Sequence, residues 1–188
     1  DAQEWGGPLL IIYFGAAILG APLWIWLVGR FEKHKIWSVA MVYASVIFLW
    51  TLTLGTGDTM AFGVVCVLTG LALGADLALP SAIQADLVDI DTAENGAQRT
   101  GQFFAIWSLV TKAALALSGG AALLTLEGVG FVDAPGNDGA ALWTLSLLYA
   151  GAPVLLKLAA IALMWSFPIT SDRQALLRSK IDGAQPPQ

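Results

Sequence analysis

Five long apolar segments alternate with short polar segments along the chain. Their predicted bounds are residues 8–29, 36–55, 60–85, 102–126 and 141–167. Each segment holds about 20 or more residues, the length that a helix needs to cross a hydrocarbon core of roughly 30 Å. Helices are expected because an isolated strand in lipid leaves its backbone polar groups without partners. The pattern predicts an all-α, multi-pass transmembrane bundle of about five helices.

Composition supports a membrane protein over a soluble domain. Hydrophobic residues make up 57% of the chain and charged residues 12%, with a mean hydropathy of +0.72. A soluble domain of this composition would expose a largely apolar surface. Cys66, the only cysteine, excludes an internal disulfide or a metal site built from cysteines, and we expect it to be a small buried side chain.

The charges of the polar segments predict the orientation in the membrane. Segments 1–7, 56–59 and 127–140 contain acidic residues but no Lys or Arg, whereas the alternate segments hold seven of the nine basic residues. Basic residues favour the cytoplasmic side. We therefore expect the first terminus outside and the C-terminus in the cytoplasm. The expected location is a cell membrane, specifically a bacterial inner membrane. The seven residues are Arg30, Lys33, Lys35, Arg99, Arg173, Arg178 and Lys180.

The two ends of the chain differ from the spans. Asp1 is not followed by a basic region and a short apolar stretch, so the start does not resemble a signal peptide. Residues 170–188 are predicted to form a cytoplasmic tail that begins as a short amphipathic helix on the membrane surface. Disorder is expected beyond Gly183.

An acidic cluster follows the third predicted span, in the stretch "ADLVDID" of residues 85–91. These carboxylates lie near the negative end of a helix dipole, where they need positive partners. We predict a cytoplasmic charge network that acts as a gate; the alternative is a solvated loop whose charges merely flank the helix. The predicted gate residues are Asp86, Asp89, Asp91, Arg99, Arg30 and Lys33.

The spacing of Asp86 and Asp89 also permits a magnesium site of the kind found in membrane prenyltransferases. Such a site needs a second acidic cluster, and Glu94 alone does not supply one. An intramembrane prenyltransferase-like enzyme is therefore a distant alternative.

Charged residues also lie within the predicted spans. Asp76 precedes Asp86 by ten residues and Lys112 follows Gln102 by ten, so both are expected about 15 Å from the cytoplasmic ends of adjacent helices. A charge at this depth is costly and requires a polar cavity or a partner. Asp76 and Lys112 are therefore candidate cavity residues, with a mutual structural ion pair as the alternative.

Two further residues in the spans, Trp107 and Lys157, are large or charged enough to need an explanation. Trp107 could stack on a ligand in the cavity or simply pack in the core. Lys157 is deep in the last span, but Pro153 one turn earlier frees a backbone carbonyl for it. We therefore expect Lys157 to be structural.

Small residues recur at helical spacing in the segments "GAAILGAP" (15–22), "TGLALGAD" (69–76) and "LALSGGAA" (115–122). This spacing allows two helices to approach closely in a membrane. It predicts tight packing of these helices and indicates nothing about a ligand.

The segment "LPSAIQADLVDIDTAENGAQRTGQFFAIWSLVTKAALALSGG" resembles helices ten and eleven of the glycoside-pentoside-hexuronide cation symporters, the melibiose permease-like family of the major facilitator superfamily. The shared features are a Pro-Ser pair, the A-D-x-x-D exit, a basic residue before the next helix, and a Lys within it. The segments "GAPLWIWLVGRFEKHK" and "GAPVLLKLAAIALMWSFPIT" resemble helices eight and twelve.

This resemblance implies that residues 1–169 are helices 8 to 12 of a C-terminal half, with the N-terminal half of the transporter absent. It implies cation-coupled symport of sugars or glycosides by alternating access, driven by sodium or protons, with no cofactor. Lys112 is implied to lie near the cation site. Transport of a lipid or another non-sugar solute is the alternative, and neither catalytic residues nor nucleic-acid partners are expected.

The predicted orientation can be tested by cysteine labelling of the full-length protein. In a chain where Cys66 is replaced by Ser, Asp58→Cys and Asp138→Cys are expected to react with an impermeant maleimide added from outside, because both lie in segments without Lys or Arg. A matched Lys35→Cys variant should react only after the membrane is opened. Labelling of position 58 or 138 from the cytoplasmic face alone would reverse the orientation.

Overall fold

The computed structural model describes residues 3–55, 57–96, 99–133 and 136–165. These residues form helices and turns without a strand, which confirms the all-α prediction. The predicted tail at 170–188 lies outside the described residues. A short 3-10 turn at Gln3–Trp5 precedes the first helix. The helices are α1 (Gly6–Val28), α2 (Lys33–Thr51), α3 (Thr59–Asn95), α4 (Thr100–Gly128) and α5 (Gly139–Met164).

Four of these helices, α1, α3, α4 and α5, are long and apolar enough to cross a membrane. The fifth, α2, has 19 residues and begins with Lys33, His34 and Lys35. It is packed against both α3 and α5, so it exposes less surface to lipid. Its buried hydroxyls at Ser38 and Ser45 donate to backbone carbonyls one turn earlier, which satisfies them inside the helix.

Helix α5 contains an irregular turn in its middle. Residues Leu147–Gly151 form a π turn, and Pro153 follows within the next turn. Proline has no N–H to donate, so the regular hydrogen-bond ladder cannot run through this point. The irregularity divides α5 into an N-terminal part and a C-terminal part, and the C-terminal part carries Lys157.

Helix α3 is longer than predicted. The sequence pattern ended this helix at residue 85, whereas the structure continues it to Asn95 and stops it at Gly96, whose φ of 68° is left-handed. Glycine adopts this conformation without the penalty that a Cβ imposes. The 37-residue helix is about 55 Å long and exceeds the roughly 30 Å hydrocarbon core. The acidic cluster therefore lies on the helix, which corrects the predicted loop.

Helices α1 and α3 make the closest approach in the described part of the chain. A Cβ added at Gly70 would lie 2.3 Å from the Tyr13 carbonyl oxygen, and one at Gly74 would lie 2.7 Å from the Ala17 carbonyl oxygen. The indole N–H of Trp24 donates to the carbonyl of Leu71 at 2.7 Å. The predicted packing of segments 15–22 and 69–76 is confirmed.

Helix α4 is the exception to this packing. None of its residues is buried, and no atom outside its own helix lies within 4 Å of a Cβ built at Gly119 or Gly120. The prediction that segment 115–122 packs tightly is therefore wrong for the described residues. One contact to α3 is a hydrogen bond of 2.8 Å from the Gln84 side chain to the Phe103 carbonyl, in the first turn of α4.

The α1–α3 contact predicts a sharp difference between two glycine substitutions. Gly70→Ala should lower the free energy of unfolding by about 1–3 kcal/mol, because its methyl group meets backbone that cannot move alone. Gly119→Ala is the matched control on an open helix surface and should not destabilise the protein. Thermal unfolding of the purified protein in one detergent measures both variants, and equal stabilities would contradict the close approach.

Candidate functional site

Three helices meet at the carboxylate of Asp76. The Lys157 ammonium on α5 donates to Oδ2 at 2.7 Å and forms an ion pair with this oxygen. The Trp37 indole N–H on α2 donates to Oδ1 at 2.8 Å. The Lys157 and Asp76 side chains are 19% and 29% exposed, so both charges are largely removed from the surface. This arrangement is called the Asp76 triad below.

The geometry of the Asp76 triad follows from helix positions. Lys157 is seven residues before the end of α5 at Met164, or about 10 Å along the axis. Trp37 is in the second turn of α2, which begins at Lys33. The triad therefore lies in the half of the bundle that contains the α1–α2 turn. A charge in hydrocarbon is costly unless it is paired, and both carboxylate oxygens of Asp76 accept a hydrogen bond.

The Asp76 triad corrects two sequence predictions. The partner of Asp76 is Lys157 and not Lys112, although Lys112 was expected at a matching depth. Lys157 was expected to use a carbonyl freed by Pro153, yet its ammonium binds a carboxylate from another helix. The physical reason is that α2 packs on both α3 and α5 and brings these two helices together, whereas α4 packs only weakly on its neighbours.

Lys112 and Trp107 both lie on exposed surfaces of α4. Trp107 is 42% exposed, and Lys112 has no hydrogen-bond or ion-pair partner among the residues that the structure describes. Neither residue is close-packed in a core. The expected cavity around Lys112 and Trp107 stays a prediction, because the described residues do not enclose one there.

The predicted cytoplasmic charges form two separate pairs. The Lys33 ammonium donates to both carboxylate oxygens of Asp86 at 2.6 Å, and this pair joins the start of α2 to α3. Asp86 is 8% exposed. Arg99, just before α4, donates from Nε to Asp91 Oδ2 at 3.0 Å and also contacts Oδ1 of the same carboxylate. Asn95 donates to Asp91 at 2.8 Å.

These pairs differ from the predicted network in their partners. Arg99 was expected in one network with Asp86, Asp89 and Asp91, and among these acids it binds Asp91, because the extra turns of α3 carry Asp91 next to the α3–α4 connection. No described side chain hydrogen bonds to Asp89. The Arg30 guanidinium lies 4.1 Å from the centre of the Trp26 ring, in a cation–π contact, so it is not part of either pair.

Sequence reasoning missed the hydrogen bonds that Trp37 and Trp24 make to α3. Both indole N–H groups donate to α3. The sequence does contain a signal for the Trp37 contact. Trp37 and Lys33 are four residues apart on α2, so they share one face of the helix. Both contact acidic residues of α3, one Asp76 and the other Asp86. The periodicity identifies that face but not the helix that it meets.

Comparison with known proteins gives a family match over most of the chain. A model described as "MFS/sugar transport protein" matches residues 2–171. The match includes all five helices, the Asp76 triad and the Lys33–Asp86 and Arg99–Asp91 ion pairs.

Curated relatives match the same region. A sodium-dependent lysophosphatidylcholine symporter of Xenopus tropicalis is 29% identical over 88% of this chain and 32% of its own length. A sphingosine-1-phosphate transporter of the same species is 26% identical over 92% of this chain and 34% of its own. An uncharacterised symporter of Synechocystis is 25% identical over 97% and 35%. The chain thus spans about a third of the length of these relatives.

The Asp76 triad predicts a strong coupling between two substitutions. Asp76→Asn or Lys157→Met alone should each lower the free energy of unfolding by about 1–3 kcal/mol, because each leaves one charge without its counter-ion. The double variant should lose less than the sum of the two. Unfolding in detergent measures the cycle, with Lys112→Met as the control on an exposed lysine. Additive losses would show that the two charges do not stabilise each other.

Proposed function

We propose, since the chain belongs to the MFS/sugar transport protein family, that the full-length protein is a sodium-coupled symporter of a lipid with a phosphate-bearing head group. Alternating access in such transporters requires two sets of helices that move about a central site. We propose that this chain supplies one of these sets. The remaining helices would come from an N-terminal half.

The proposal of a lipid substrate rests on the similarity of this chain to transporters that are named for lipids. The relatives from Xenopus tropicalis are named for lysophosphatidylcholine and for sphingosine-1-phosphate, and each matches about nine tenths of this chain. Both substrates named there combine an acyl or alkyl chain with a phosphate. This similarity favours the lipid alternative over the sugar that the sequence resemblance implied.

The side chains of α4 agree with a lipid substrate. Its exposed residues between Phe104 and Leu124 are mostly apolar, and Lys112 is the single charged residue among them. A sugar needs several polar groups to replace its hydration, because each unpaired hydroxyl is costly. An acyl chain needs an apolar wall with one or two polar groups at the head.

A sugar or glycoside stays the second candidate. It is favoured by the description of the family match and by the resemblance of segment 79–120 to cation symporters of sugars. The prenyltransferase-like enzyme is no longer favoured, because the named relatives are transporters.

The proposal is tested by uptake into proteoliposomes that contain the full-length protein. Radiolabelled lysophosphatidylcholine, sphingosine-1-phosphate and melibiose are offered separately, each with an inward sodium gradient, an inward proton gradient or neither. We expect sodium-driven uptake of a phosphate-bearing lipid. Uptake of melibiose without uptake of either lipid would establish the sugar alternative.

The same assay tests Lys112 as a coupling residue. Lys112→Leu is expected to reduce sodium-driven accumulation about tenfold or more while substrate binding is retained. The reason is that leucine has no ammonium to compete with sodium for acidic partners. Leu115→Met on the same exposed helix is the control. Normal accumulation by Lys112→Leu would remove this lysine from the coupling mechanism.

A further inference from the structure

A cavity of about 670 Å³ lies at the turn between α1 and α2, outside the Asp76 triad and the Lys33–Asp86 and Arg99–Asp91 ion pairs. Arg30 and Lys35 contribute cationic side chains to its lining, and Glu32 contributes one carboxylate. The lining therefore carries one net positive charge. Lys33 does not add to this charge because its ammonium is bound to Asp86.

The rest of the cavity lining is largely apolar. Phe31 and Val39 are 59% and 55% exposed, and both line the cavity together with the buried Ile36. Contact between water and large exposed apolar side chains is unfavourable. They suit the boundary between head groups and acyl chains, which is where the ends of two membrane helices lie.

The Arg30 guanidinium is held in a way that leaves its donors available. Its central carbon lies 4.1 Å from the centre of the Trp26 ring, in a cation–π contact, and Arg30 forms no salt bridge within the part of the chain that the structure describes. The N–H groups of the guanidinium can therefore donate to phosphate oxygens in pairs. Lys35 is exposed on the first turn of α2 and lines the same cavity.

We propose that this cavity binds an anionic phospholipid from the adjacent leaflet of the membrane. Arg30 and Lys35 hold the phosphate of the head group, and the apolar wall of Phe31, Ile36 and Val39 contacts the start of the acyl chains. Basic pockets at the ends of membrane helices bind anionic head groups in this way.

The charge balance selects the lipid class. A zwitterionic phosphatidylcholine head group brings a quaternary ammonium close to Arg30 and Lys35, which repel it. The phosphatidylglycerol head group carries a phosphate and no positive charge. A soluble phosphate ester would satisfy the cations and leave the apolar wall exposed to water. An anionic lipid therefore fits both halves of the cavity.

The experiment measures lipid binding to the full-length protein in a neutral detergent, by native mass spectrometry. Phosphatidylglycerol and phosphatidylcholine with identical acyl chains are titrated separately, and the Kd of the tightest site is compared. We expect phosphatidylglycerol to bind more tightly. Arg30→Gln combined with Lys35→Gln should weaken it about 25-fold, roughly fivefold for each charge removed.

Two further variants separate the cavity from general attraction to positive charge. Val39→Trp fills the apolar wall without changing charge and is expected to weaken binding. Arg99→Gln removes a cation that does not line the cavity and should leave the Kd unchanged. Glycerol phosphate at the same concentration should not compete with phosphatidylglycerol.

Four outcomes would overturn the proposal: equal binding of the two lipids, no effect of the double variant or of Val39→Trp, an equal loss in Arg99→Gln, or competition by glycerol phosphate. The assay involves no transport. Its result is therefore independent of whether the full-length protein moves a lipid, a sugar or sodium.

Discussion

The carboxylate of Asp76 cannot stay unpaired in hydrocarbon, and its neutralisation fixes how α2, α3 and α5 meet. Helices in a membrane gain no hydrophobic free energy from association, since lipid tails are as apolar as their side chains. Packing and polar contacts must therefore select the partners. The ion pair with Lys157 and the hydrogen bond from Trp37 select two helices at one point. On the opposite side of α3, close backbone contact at Gly70 and Gly74 selects α1.

The sequence predicted the number of helices and the small-residue contact because both depend on local pattern. Span length follows from apolar runs, and glycine spacing within α1 and α3 is visible in the chain itself. The partner of Asp76 was not predictable in the same way. Depth can be counted along a helix, and by that count Lys112 was as suitable as Lys157. The choice depends on which helix lies beside α3, and uniformly apolar helices do not encode that in their periodicity.

The end of α3 was mispredicted for a different reason. The acidic residues between Asp86 and Asp91 were read as the exit from the membrane and therefore as the end of the helix. Leaving the hydrocarbon core does not end a helix, because its hydrogen bonds are internal and continue in water. The stop signal was the Asn95-Gly96 pair four residues after Asp91, where glycine adopts a left-handed conformation. The same error misplaced the acidic cluster relative to the next helix.

The two intramembrane lysines now have different physical roles. The charge of Lys157 is compensated by Asp76 within the described residues, and removing Lys157 would leave the Asp76 carboxylate without its ion-pair partner. A residue in that state stabilises one helix arrangement. Lys112 lies on α4, which is exposed along its length, and an ammonium at this position gains stabilisation from whichever anion or cavity comes within reach. Coupling requires a charge whose partner can change between states. The described contacts therefore tie Lys157 to the arrangement of α2, α3 and α5, whereas the coupling role of Lys112 stays a proposal that the uptake assay tests.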